Sequence, residues 1–244
     1  MLVDNKFIYV SIPRTATMSF HYNCLRQGIP IDFYTDGLTD NYDKIDFVNL
    51  PFKEAFKKIA HPHEIVHNLK KKFGNNLDII SVKRNRHERF ISLWKHVIQM
   101  AYSANYNKTA KILEKLTLNE ILFYTYDDLT SYLLNEKNSV DFFMEFFEKN
   151  NIKRNMYTEQ FMDLFWCPQS QYHCHDPNII WFDYDNLSEM EKWVSNKLNK
   201  PFVLSHHNSS KSINSKLELN EEFINKYNSI YDKFDSPKSI KTLI

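Results

Sequence analysis

The stretch Lys6–Phe20, KFIYVSIPRTATMSF, decides the fold. Its first half, Lys6 to Ile12, is short, apolar and β-prone, and Pro13 ends it, which predicts a buried strand. Helical signals resume at about Thr17, run to Arg26 and stop near Gly28. A strand that enters Pro-Arg-Thr-Ala-Thr-Met-Ser and then a helix offers an anion a place to sit. The helix start supplies unpaired N–H groups and a partial positive charge. Thr15, Thr17 and Ser19 add hydroxyls, and Arg14 adds a permanent cation with forked donors. On the residues alone, two readings stand side by side: a phosphate or sulfate cradle, or a capped helix start beside a surface arginine.

Outward from this stretch, Ile31 to Tyr34 reads as a second strand. Pro62 opens a helix that runs to Lys72 with Gly74 as its stop. Leu77 to Val82 is another buried strand, followed by a helix from about His87 to Met100. Residues 105–165 read as helical throughout, with Leu118, Ile121 and Leu122 as one stripe. Asn178 to Tyr184 is a further strand, and helices follow at Ser188–Leu198 and about Asn220–Phe234. This alternation predicts one α/β domain over 1–244, with a central, mainly parallel sheet flanked by helices and a helical insertion at about 105–165. Ligands in such folds sit beyond the carboxyl ends of the strands, so Pro13–Ser19 and Lys83–Ser92 matter most.

Composition narrows the function. The 244 residues carry 31 Lys+Arg against 30 Asp+Glu, a net charge of +1, which argues against duplex nucleic acid as the main partner. Three cysteines, Cys24, Cys167 and Cys174, are too few and too scattered for a disulfide framework and fit a reducing compartment. The start lacks a basic segment followed by an apolar one, and no apolar run approaches the roughly 18–20 residues of a membrane helix. The expectation is a soluble, cytoplasmic protein with no membrane span. With only 3 glycines, neither Gly-x-Gly-x-x-Gly nor a Walker loop can be present.

At the second strand end, Arg84 and Ser92 could meet one anion, or the basic run could be a solvated helix start. The two strand ends together resemble two motifs of the sulfotransferases that use 3′-phosphoadenosine 5′-phosphosulfate (PAPS). IPRTATMSF is similar to the family's 5′-phosphosulfate loop, most of all to the Pro-Lys-Thr-Ala-Ser-Thr-Ser-Phe of the hexuronyl 2-O-sulfotransferase branch. Ala16, Ser19 and Phe20 match it; Arg14 replaces the lysine, as in the tyrosylprotein sulfotransferases, and Met18 replaces a threonine. ISVKRNRHERFIS resembles Val-x-Arg-Asp/Asn-Pro-x-x-Arg-x-x-Ser, with Arg84, Asn85, Arg89 and Ser92 in register and Arg86 in place of proline. The resemblance implies a P-loop-like three-layer fold. It also implies that Arg14, Thr15, Ala16, Thr17, Met18 and Ser19 hold the donor's 5′ end, and that Arg84 and Ser92 hold its 3′-phosphate. Arg89 is read as a structural brace.

Between the motifs lies HPHEIVH at 61–67. One reading is the zinc-hydrolase HExxH, with His63 and His67 one helical turn apart, Glu64 as base and Glu88 as a third ligand. In the other, His61-Pro-His63 resembles the His-Gly-His of the 2-O-sulfotransferases, which implies His63 as the base and His61 as its alternate, with His67 structural. Cys167, His173, Cys174 and His175 lack a paired C-x-x-C hook and read as a loop. HHNSSK at 206–211 resembles the family's closing segment, which implies Ser210 and Lys211 as further nucleotide partners. The implied activity is sulfuryl transfer from PAPS to an acceptor hydroxyl, with a saccharide favoured, releasing adenosine 3′,5′-bisphosphate and needing no metal. The alternatives are the zinc hydrolase and a non-catalytic nucleotide-binding module.

Overall fold

A computed structural model of the chain describes residues 1–32, 64–103, 107–122, 169–173, 176–205, 217 and 219–232. They belong to two units, Met1–Arg84 with Tyr172–Ser209, and Asn85–Gln171 with Ser210–Ile244.

The first unit is built on a sheet that begins with a hairpin. Strand β1 (Leu2–Val3) and strand β2 (Phe7–Val10) pair antiparallel, Leu2 opposite Ile8 and Val3 opposite Phe7. Asp4 and Asn5 between them have φ of 48° and 53°, and the Lys6 N–H donates to the Val3 carbonyl at 2.9 Å. Two successive left-handed residues make a tight turn whose twist suits a hairpin, and Asp and Asn tolerate that conformation best among residues with a Cβ. Strand β3 (Ile31–Asp32) adds antiparallel to β1; β4 (Asp78–Lys83) adds parallel to β2, and β5 (Ile179–Asp183) parallel to β4. The open sheet runs β3-β1-β2-β4-β5. It is therefore mixed rather than mainly parallel. The tight turn can only reverse the chain, so β1 alone runs against the other four strands, and its two ladders are the antiparallel ones.

All four residues of β2 are buried, as are Ile79 to Val82 of β4, so both faces of this central pair are covered. Phe7, Tyr9, Ile80 and Val82 pack with helix α1 (Thr17–Arg26) through Phe20 and Cys24. The Tyr9 and Phe20 rings stack at 4.2 Å between centroids. Met190 and Val194 of a later helix complete the same core. Helix α2 (Val66–Phe73) also lies against β2, with Val66 and Leu69 buried.

Both early helices stop where glycine allows it. After α1, Gly28 at φ 61° donates to the Leu25 carbonyl and Ile29 to that of Cys24; after α2, Gly74 at φ 99° donates to Lys70. The start of α2 differs from the expectation of Pro62. Ile65 is extended (φ −74°, ψ 149°), and the Glu64 carboxylate accepts from the Ile65 N–H and from Asn68 Nδ2, both at 2.8 Å. The helix thus begins at Val66, closed off by an acid ahead of its first turn.

The second unit contains helices α3 (Arg86–Ser103) and α4 (Asn107–Leu113), a helical segment at 118–122, and the last helix of the chain. Of the stretch expected to be helical at 105–165, residues 105–106 and 123–165 lie outside the described residues. Helix α5 (Gln169–His173) crosses the boundary between units, where a loop was expected. Tyr172 is fully buried, and the His173 ring meets Trp181 edge-on at 4.5 Å. A 3₁₀ turn (Tyr184–Asn186) leads from β5 into α6 (Leu187–Leu198), and α7 (Glu221–Tyr231) comes last. Asn220 caps α7 by accepting from the Phe223 N–H at 2.8 Å, and Glu221 and Glu222 suit its positive end. Phe90 of α3 packs against Phe223, Tyr227 and Tyr231 of α7. Among the described residues no helix is long and apolar enough to cross a membrane.

Phe20 ties the strand face to α1. Phe20→Ala should cost about 3–5 kcal/mol, the usual range for emptying a fully buried aromatic site. Urea unfolding of the two proteins measures it.

Candidate functional site

β2, β4 and β5 run parallel, so their carboxyl ends reach one edge of the sheet, as Val10 opposite Ser81 and Lys83 opposite Asp183 show. Three backbone exits follow from that register. β2 leads into Pro13–Ala16, β4 into Arg84, and β5 into Tyr184.

The first exit is strained. Arg14 has φ 66° and Ala16 has φ 63°, and the residue between them is not left-handed. Alternating handedness turns successive peptide N–H groups toward one hollow, the backbone concavity that receives anions. A residue with a Cβ pays about 1–2 kcal/mol to sit in this region, and here two pay it within three positions. Ala16 is also the cap residue of α1, so no side chain caps that helix, and its first turn holds no acid. The positive end of the helix dipole is left for something else to meet.

The hydroxyls behave differently from the sequence expectation. Thr15 Oγ1 and Thr17 Oγ1 both donate to the Ile12 carbonyl, at 2.9 and 2.7 Å. Their hydrogens hold the strand end. Ser19 is buried, its carbonyl accepting from Asn23 Nδ2 at 2.7 Å, and Met18 packs against the core. Beneath the turn, Ser11 Oγ and His21 Nε2 lie 3.1 Å apart, both fully buried.

Arg84 reaches the turn from the neighbouring strand. Its Nη1 donates to the Arg14 carbonyl at 3.3 Å, and its guanidinium lies 4.3 Å from the centre of the Tyr184 ring. Burial, with Arg84's like charge as the second cause and Tyr184 opposing, pulls Arg14 down to about 10. Arg14 still carries its charge at neutral pH. Two half-buried cations whose charges oppose each other make a site that a dianion would relax.

Ser92 is buried on α3, in the second unit. Arg89 on the same helix is also buried. Asn85 caps α3, its Oδ1 accepting from the N–H groups of His87 and Glu88, and Arg86 occupies the first helical position where proline is also accepted. Arg86 pairs with Asp232 at 2.6 Å. His61, His63, Ser210 and Lys211 lie outside the described residues, as do Cys167, Cys174 and His175. For HEIVH, the extended Ile65 between positions 63 and 67 breaks the helical turn that a two-histidine zinc site needs, and His67 is exposed. Tyr184 is the residue that sequence reasoning did not single out. Its only signal was an aromatic as the last residue of the strand expected at Asn178–Tyr184.

No family model, no curated protein and no solved structure matches this chain.

The strain at Ala16 has a direct test. Ala16→Gly should stabilise the fold by about 1 kcal/mol, because glycine occupies left-handed backbone without the Cβ penalty while the peptide N–H is retained. A thermal unfolding midpoint below that of the parent would contradict it.

Proposed function

We propose that the chain is a sulfotransferase with a P-loop-like fold, using PAPS as donor and an acceptor hydroxyl, on a saccharide, as recipient. One observation carries the reading. An alternating-handed turn at a helix start, bearing Arg14, is met by Arg84 from the adjacent parallel strand end. That is a dianion cradle built from backbone amides and two guanidiniums, and its residues are those that resemble the family's donor loops.

In this reading Arg14 and the amides of residues 16–19 hold the donor's 5′-phosphosulfate, the Thr15 N–H being already given to the Ile12 carbonyl. They stabilise the charge that gathers on the 5′-phosphate oxygen as its bond to sulfur breaks. Arg84, with Ser92, anchors the 3′-phosphate and turns remote binding energy into alignment. His63, with His61 as its alternate, takes the proton of the acceptor hydroxyl as that oxygen bonds to sulfur. Ser210 and Lys211 belong to the nucleotide end. The adenosine 3′,5′-bisphosphate that leaves carries the electron pair of the broken bond.

Calorimetric titration of the chain with adenosine 3′,5′-bisphosphate tests the donor site. Binding in the micromolar range that weakens at least about tenfold in Arg84→Ala, a loss of about 1.4 kcal/mol, is expected. Absence of binding by the parent chain refutes the proposal. His63→Ala should keep that affinity and lose sulfuryl transfer by about 100-fold or more, within the range for a general base. Unaltered turnover in that variant would remove His63 from the chemistry.

A further inference from the structure

We infer that Arg84 and Tyr184 are positioning residues for the left-handed turn itself, so that both set affinity for anions carrying neither a purine nor a 3′-phosphate. The inference rests on the reading of the turn as an anion site, and it deepens that reading: a residue assigned to one end of the donor also shapes the pocket for the other.

The argument begins at one peptide group, between Arg14 and Thr15. Its carbonyl oxygen receives Arg84 Nη1 at 3.3 Å, and its N–H donates to the Ile12 carbonyl at 3.4 Å. A peptide is planar, so a hold on the oxygen also fixes where the nitrogen points. Both bonds are long, and neither alone would keep this group turned while Arg14 pays to remain left-handed. Together they fix the plane from which the hollow is made.

Arg84 can do this only if its own guanidinium is fixed. Tyr184 supplies the surface: the ring lies 4.3 Å from the guanidinium and packs against the core of the first unit. Stacking on an aromatic face restrains the plane of the fork while leaving its edge donors available. The sheet register makes the contact automatic. Lys83 lies opposite Asp183, so the next residues, Arg84 and Tyr184, leave the sheet side by side. Tyr184 then enters the 3₁₀ turn that leads into α6, and this anchors its backbone on both sides.

Inorganic pyrophosphate is the probe, because it has no base to stack and no 3′-phosphate to bind. Titrated into the full chain, it should bind Tyr184→Leu and Arg84→Lys at least about fivefold more weakly than the parent, the scale of one lost cation–π contact. Tyr184→Phe, which keeps the ring, should stay within about twofold of the parent. Parent-like pyrophosphate affinity in both Tyr184→Leu and Arg84→Lys overturns the inference. If Tyr184→Leu fails to fold, Arg84→Lys decides alone, since it keeps the charge and removes the fork. Adenosine 3′,5′-bisphosphate, run in parallel, separates the two claims. A parent chain that binds pyrophosphate and not the nucleotide defeats the donor assignment and leaves the variant series to judge the brace. A parent chain that binds neither overturns both.

Discussion

Two left-handed residues with side chains, Arg14 and Ala16, set the terms for the first unit. Backbone of this kind persists only when its surroundings hold it more firmly than its strain resists. The holding is visible on every side. The Ile12 carbonyl takes two threonine hydroxyls, Ser81 Oγ donates to the Val10 carbonyl at 2.9 Å, and Ser11 meets His21 under the turn. Buried β2 and the Tyr9–Phe20 stack keep strand and helix in place on either side. The two threonine hydroxyls are thereby spent on the scaffold.

Charge follows the same geometry. Parallel pairing of β2, β4 and β5 delivers three chain exits to one edge, and two of them bring guanidiniums. Burial first, and the like charge of Arg84 second, depress the basicity of Arg14. The nearby pair Lys83–Asp183, at 3.4 Å and well exposed, is of a different kind: a solvated contact worth little in either direction. Burial separates a pair of charges that can drive binding from a pair that decorates the surface.

Much of this was legible in the sequence, for reasons that can be named. Helix α1 has the bounds read for it because an apolar strand, a proline, a run of cap-forming residues and a closing glycine all agree. The strands β4 and β5 were continuous apolar runs, the signature of parallel neighbours. What escaped was short or relational. β1 has two residues, too few for any periodicity, and its trace was the Asp4-Asn5 pair after Leu2-Val3. The start of α2 was missed because proline was credited over the acid that closes the helix from outside. Tyr184 could not be read from local pattern at all, because its importance comes from a register between strands about a hundred residues apart in the chain.

A chain with 3 glycines that builds a left-handed turn from arginine and alanine has made a choice about entropy as well as strain. Glycine in the same places would sit more comfortably when folded, yet it would wander over far more of backbone space when the turn is loose. Arginine and alanine have fewer alternatives to visit. In the proposed role the turn therefore surrenders less freedom when an anion arrives, and more of the contact energy remains as affinity. Strain of this sort is a form of preorganisation, set during folding rather than at the moment of binding.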